Sequence, residues 1–240
     1  MVIMTNSKFQ SFSDDLEAFV WPDEDQKQRN KRQRILKGAT ELFIRLGYRK
    51  TSVDAIAKQA GLAKGTVYLY YSNKSEIVLH AIALEKSAYL RQLVEHISEG
   101  LSPGDVLRTV IVIGVVMSRE MPLTASLVRG DNEIAIALAE VDEPLKSAIG
   151  KMQYDAILEL LDDATHHELK RTQLKILSQT LVDLLNSVFL SQHIWNSEIP
   201  IIKYAQTLAD MLVDGLVNTN EQHSSESLRP LYNNLTKRFP

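Results

Sequence analysis

The chain has 240 residues, contains no cysteine and carries a formal net charge of −3. This length suffices for one large domain or two unequal ones with a sizeable buried core. The absence of cysteine excludes disulfides, thiolate zinc sites and a cysteine nucleophile, and it fits a reducing cytoplasm. The longest apolar run, 110–117, is about half a bilayer span, so we interpret it as a buried helix and expect no membrane partner.

The charge is unevenly distributed along the chain. Residues 27–74 contain twelve Lys and Arg but only two acidic residues, so the remainder is strongly acidic. A basic segment of this kind favours a surface that binds a polyanion. A solvated, lysine-rich helix surface would have the same composition, so charge alone leaves both interpretations open.

The N-terminal segment and the first helix differ sharply in pattern. Residues 1–26 hold six acidic residues, one lysine and the break Trp21-Pro22, which predicts an acidic extension that is flexible or loosely docked. The first helix is predicted over about 27–46, because its apolar residues recur at helical spacing and Gly47 follows.

A helix-turn-helix is predicted at residues 51–71. Residues 51–54 have the spacing of a capping box, so a short helix capped by Thr51 is expected to run to about Ala60. Gly61 supplies the positive φ that a sharp turn often needs, and a second short helix is expected over about 64–70. The second helix of such a unit can enter the major groove of DNA.

The remaining chain is predicted to be helical as well. A long helix begins near residue 73 and ends near 97, and longer apolar helices follow from 102. Four prolines lie near helix starts: Pro103, Pro122, Pro144 and Pro200. Two amphipathic helices, about 171–193 and 199–217, are expected to form an antiparallel pair, and the polar tail 221–240 to fray. The predicted fold class is all-α.

The helix-turn-helix segment contains a distinctive set of elements: Thr51, Ala60-Gly61, Lys64-Gly65-Thr66, the aromatic cluster Tyr68–Tyr71 and Lys74. With these elements, residues 34–85 resemble the DNA-binding region of the TetR family of transcriptional regulators. The resemblance implies a three-helix DNA-binding domain at 27–75 and a helical effector-binding and dimerisation domain at 76–220. One departure is Ala63, where the family often has Ser or Thr; it loses a helix cap worth about 1 kcal/mol.

The resemblance also implies a role for each residue of the DNA-binding surface. Lys64 and Thr66 would reach base edges, and Tyr68 and Tyr70 would reach phosphates or adjacent bases. Gly65 would let the helix approach the duplex closely. Four further residues would contact the phosphate backbone: Thr51, Lys74, Arg49 and Lys50. Tyr71 is expected in the core, because it lies four residues after Val67.

The family resemblance implies a cytoplasmic, nucleoid-associated repressor that binds a palindromic operator as a homodimer, paired through 171–193 and 199–217. A small effector is expected between helices, with six candidate lining residues: Tyr89, Met117, Met121, Tyr154, Phe189 and Trp195. Met and aromatic residues at helical spacing lie in a core more often than in a pocket. No cofactor is expected. His166 and His167, taken as neighbours on one helix, would point about 100° apart, so no metal is expected.

Three other functions remain as alternatives. An enzyme is disfavoured, because the sequence has no Gly-rich phosphate loop, no H-E-x-x-H and no G-x-S-x-G. A TetR-like DNA-binding protein controlled by a protein partner would be favoured by a sealed core without a pocket. A general basic DNA coater is disfavoured, because most of the chain is acidic.

Overall fold

The computed structural model describes residues 3–94, 101–129, 133–190 and 198–217. Side chains are described within these ranges except at 3–9, 92–94, 117, 118, 129, 189, 190, 216 and 217. All regular structure in the described ranges is helical, as predicted. The helices are α1 (Ile3–Val20), α2 (Gln26–Leu46), α3 (Val53–Ala60), α4 (Lys64–Tyr68), α5 (Lys74–Val94), α6 (Pro103–Glu120), α7 (Pro122–Arg129), α8 (Glu133–Ala139), α9 (Glu143–Ala164), α10 (Arg171–Leu190) and α11 (Ile201–Val217).

Helices α2, α3 and α4 form the N-terminal head. A capping box begins α2: the Asp25 carboxylate accepts from the Gln28 amide at 2.8 Å, and the Gln28 side chain accepts from the Asp25 amide at 3.1 Å. Gly47 ends the helix with φ 82°, as the sequence predicted. The apolar stripe is buried against α3 and α5, with Ile35 and Phe43 fully excluded from solvent.

Helix α1 shows how the described part of the acidic segment 1–26 docks. It packs along α5, and its Leu16 and Val20 are buried. Ser13 is also buried, with its hydroxyl 3.3 Å from that of Ser87. The described part docks because an apolar stripe at helical spacing, completed by Phe12 and Phe19, lies among the acidic residues.

The body is built around α6, which contains the apolar run 110–117. Ile111, Ile113 and Val115 are buried, and no helix in the described ranges is long and apolar enough to cross a membrane. Arg108 of α6 forms ion pairs with Asp210, at 3.2 Å, and with Asp214 of α11.

The pairing of the last two helices differs from the prediction. Helix α11 packs chiefly against α6, while α10 packs against α9 and α6, so their principal contacts are not with each other. The small residues Ala205 and Ala209 are buried on α11, which permits close packing. Residues 191–193, part of the predicted pair, lie outside the described residues.

Candidate nucleic-acid interface and effector cavity

The turn between α3 and α4 has the geometry of a helix-turn-helix. Gly61 adopts the left-handed conformation, φ 64° and ψ 41°, as the sequence predicted. The Arg34 guanidinium donates to the carbonyl oxygens of Ala60, at 2.9 Å, and Gly61, at 2.8 Å. Arg34 therefore caps the end of α3, a role that sequence reasoning missed because the two segments are 26 residues apart.

The start of α3 requires a correction. Ser52, not Thr51, is the N-cap: its hydroxyl accepts from the Ala55 amide at 3.1 Å. Thr51 is only 2% exposed, and its hydroxyl donates to the Gly47 carbonyl at 2.7 Å. Both side chains are of a type that can cap a helix, and burial of Thr51 in the preceding loop decided between them. The buried Thr51 side chain does not present its hydroxyl for the expected phosphate contact, whereas Ser52 is exposed.

The outer face of α4 carries most of the predicted DNA-reading residues. Lys64, Gly65 and Tyr68 are exposed, whereas Thr66 and Tyr70 are half-buried. Leu69 is 83% exposed, an unusual position for a leucine, and sequence reasoning did not select it. On the inner face Val67 and Tyr71 are buried, which confirms the predicted core position of Tyr71. Ala63 provides no side-chain cap, as expected.

Two features of α4 affect how it could contact DNA. The Lys64 ammonium donates to the Asp54 carboxylate at 2.7 Å, and this bond raises the Lys64 pKa. Contact with a base would therefore exchange one exposed ion pair for another interaction. Nothing lies within 4 Å of the position where a Cβ on Gly65 would stand. Packing within the described residues thus gives no reason for glycine at this position.

The loop 47–51, which connects α2 to α3, contacts helices outside the head. Arg49 and Lys50 are exposed, consistent with backbone contacts. The Lys74 ammonium donates to the carbonyl oxygens of Tyr48, at 2.7 Å, and Thr51, at 3.0 Å, and burial lowers its pKa. Lys74 therefore positions the loop, and a phosphate contact from it remains a prediction.

Helix α8 holds the same loop from the body side. The Glu133 carboxylate accepts from the amides of Tyr48, at 2.5 Å, and Arg49, at 3.4 Å. The Tyr48 hydroxyl donates to the Glu140 carboxylate, and the Ser75 hydroxyl to the Glu140 carbonyl at 3.1 Å. These bonds join residues more than 60 positions apart, so no local sequence signal could have identified them.

A cavity of about 330 Å³ lies in the body between α1, α5, α6, α8, α9 and α10. Its volume is within the range of small-molecule sites. The lining is mainly apolar and includes Leu16, Leu90, Ile113, Met121, Ile157 and Leu160. The cavity also contains Lys86, which sequence reasoning did not select because one lysine on a helix carries no motif.

Of the six residues predicted to line an effector pocket, Met121 lines this cavity. Tyr89 and Tyr154 are half-buried and do not belong to its lining. The side chains of Met117 and Phe189, and the whole of Trp195, lie outside the described residues.

His166 and His167 do not lie on a helix, whereas the sequence analysis took them as neighbours on one helix. His166 and His167 follow the end of α9 and have positive φ values of 54° and 62°. His167 pairs with Asp162 at 2.8 Å. Within the described ranges, no group of three or more potential metal ligands comes together.

Comparisons with known proteins agree with this architecture. Residues 35–81 match the family model described as bacterial regulatory proteins, tetR family. The fatty acid metabolism regulator protein of Bacillus subtilis is 24% identical over 202 residues, which cover 80% of this chain and 98% of that protein.

Solved structures show the same fold. The transcriptional regulator FadR from Bacillus subtilis, in complex with stearoyl-CoA, has a TM-score of 0.58 at 19% identity, covering 76% of this chain and 98% of that one. AibR, in complex with isovaleryl coenzyme A and operator DNA, has a TM-score of 0.51 at 16% identity, covering 77% and 98%.

A helix-turn-helix head on a helical body, with relatives that are transcriptional regulators, defines a DNA-binding regulator of transcription. Within this chain, the head at residues 35–81 carries the match to the tetR family of bacterial regulators.

Proposed function

We propose that the chain is a nucleoid-associated, dimeric repressor that binds a palindromic operator through α4 and releases it when a small effector fills the cavity. One observation carries the proposal: α8 contributes residues both to the lining of the cavity and to the contacts that hold the loop before α3. Ile134 and Leu138 line the cavity, while Glu133 at the start of the same helix binds the loop before α3. An effector that displaces α8 would therefore shift the loop from which the helix-turn-helix begins.

Such a linkage is ordinary allostery. The effector must bind more tightly to the conformation that fits DNA badly. Binding of DNA must then lower the affinity for the effector by the same factor. The presence of a cavity favours a small effector over control by a protein partner, for which a sealed core was expected. The relatives named for fatty acid metabolism and for acyl-CoA complexes support an effector with an aliphatic chain.

The exposed face of α4 supports direct reading of DNA. Lys64 can donate to guanine, and apolar groups such as Leu69 and the Thr66 methyl suit the thymine methyl group. Arg49 and Lys50, in the loop before α3, are exposed basic residues of the head, and phosphate contacts from them would set the register of α4.

Exposed apolar residues support the dimer. On α10, Ile176 is 61% exposed, and on α11, Ile202 is 44% and Met211 72% exposed. Ile199, just before α11, is 55% exposed. Large apolar side chains gathered on the two helices predicted to dimerise are typical of an interface. A two-fold dimer would place its α4 helices roughly 34–36 Å apart, or a multiple of that distance.

The direct test is selection of bound sequences from a pool of random duplexes with the purified full-length protein, at two salt concentrations. A palindrome with half-sites about one helical turn apart is the expected result. Lys64→Ala should relax the sequence preference, whereas Lys50→Ala should weaken all sequences and flatten the salt dependence. Lys170→Ala, which removes an exposed lysine before α10, is the matched control and should change neither. Recovery of no common sequence would contradict the proposal.

A further inference from the structure

The cavity contains a single basic group among its described lining residues, Lys86 of α5. Its ammonium lies 5.1 Å from the centre of the Phe12 ring, so it faces α1 across the cavity wall. No carboxylate of the described residues forms an ion pair with it. A cation over an aromatic ring is held more weakly than one paired with a carboxylate. The site therefore offers a positive charge that an anion could neutralise.

The surroundings of Lys86 are poor in polar groups. Burial lowers the pKa of Lys86 to about 8. An anion bound beside the ammonium would offset that loss of hydration and raise the pKa again. The lining from α6 and α8 contains no charged residue, only apolar side chains and Gly114. The cavity thus combines one cationic end with an extended apolar wall.

The remaining charged residues of the lining are acidic and lie toward solvent. Asp15 of α1 and Asp155 and Glu159 of α9 line the cavity and are all exposed. Asp155 pairs with Lys151, which lies outside the lining. A ligand group that emerged past these carboxylates with several phosphates would be repelled by like charge.

We infer that the cavity binds an aliphatic monocarboxylate, with its carboxylate beside Lys86 and Phe12 and its chain against α6, α8 and α9. This inference rests on the proposed function, because it names the chemical class of the effector. A volume of about 330 Å³ lies at the lower end of the range of small-molecule sites, which suits an aliphatic chain of medium length. A ten-carbon chain is therefore the appropriate probe.

Calorimetric titration of the full-length protein with three probes tests the inference: decanoate, methyl decanoate and decanoyl-CoA. Decanoate is expected to bind about tenfold or more tightly than the methyl ester, which keeps the chain and lacks the charge. It is also expected to bind more tightly than the thioester, because of the acidic opening. Decanoate affinity should fall as the pH rises above about 8, where Lys86 of the unliganded protein loses its proton.

Variants separate the charge of Lys86 from its packing. Lys86→Met should weaken decanoate about tenfold and leave methyl decanoate unchanged, since the aliphatic stem is retained. Lys170→Met is the matched control and should alter neither. If Lys86→Met melts at a markedly lower temperature, Lys86→Gln and the pH profile of the unaltered protein provide the same comparison. Glu159→Gln should strengthen decanoyl-CoA more than decanoate.

The outcomes distinguish the inference from the proposed function. Equal binding of acid and ester, preference for the thioester, or no binding of any probe overturns the inference. In each of these cases specific DNA binding would still uphold the DNA-binding part of the proposed function. Absence of a selected operator would refute the proposed function even if decanoate binds through Lys86.

Discussion

Two glycines of the head allow contact with DNA to be separated from stability. Gly65 lies on the outer face of α4 with open space where a Cβ would stand, and its φ is not positive. Gly47 has φ 82° and ψ 170°, a region that side chains other than glycine rarely adopt, and a Cβ there would collide with the Glu133 carboxylate. Gly47→Ala should therefore destabilise the protein, whereas Gly65→Ala should not.

The magnitudes follow from these environments. Alanine at Gly65 should leave the free energy of unfolding unchanged or raise it by up to about 1 kcal/mol, because alanine favours helix. Alanine at Gly47 should lower it by about 1–3 kcal/mol through backbone strain alone. For a chain of this size that corresponds to a fall in Tm of about 2–4 °C per kcal/mol.

The effect of Gly65→Ala on DNA binding should differ from its effect on stability. If Gly65 permits close approach of α4 to the duplex, the added methyl group should weaken operator binding by about tenfold, or about 1.4 kcal/mol, with no loss of stability. Thermal unfolding and fluorescence anisotropy on a labelled operator measure the two quantities on the same preparation. A Gly65→Ala protein that binds the operator as tightly as the unaltered chain would refute this placement of α4.

Three further predictions concern the coupling, the dimer and the acid response. Glu133→Gln replaces charge-assisted bonds to the amides of Tyr48 and Arg49, so effector-induced release of the operator should weaken; unchanged release in anisotropy titrations would argue against α8 as the relay. Ile176→Glu places a charge on the proposed interface and should shift sedimentation toward monomer, whereas Ile44→Glu, at an exposed site on α2, should not. Burial lowers the pKa of His80 to about 4, so the unfolded chain binds a proton that the folded chain refuses, and stability should fall by up to about 3 kcal/mol as the pH drops from about 6.5 to 4. Urea unfolding of His80→Leu should show a smaller fall over that window, and an identical pH profile would exclude His80 as its source.

The local sequence determined the elements of the head. Helical periodicity defined α2, and Gly47 and Gly61 marked helix ends because few other residues adopt their backbone conformations. The inner position of Tyr71 followed from its spacing to Val67. These features depend on interactions within a few residues, which a linear pattern records.

Tertiary structure decided what lies between distant segments. The choice of Ser52 over Thr51 as cap depended on burial of the preceding loop, and the docking of α1 depended on the complementary face of α5. Glu133 contacts a loop some 85 residues earlier in the chain, and the cavity that Lys86 lines is formed by six helices. Burial, long-range hydrogen bonds and cavities arise only when separate helices pack, so their physical origin is absent from any short stretch of the chain.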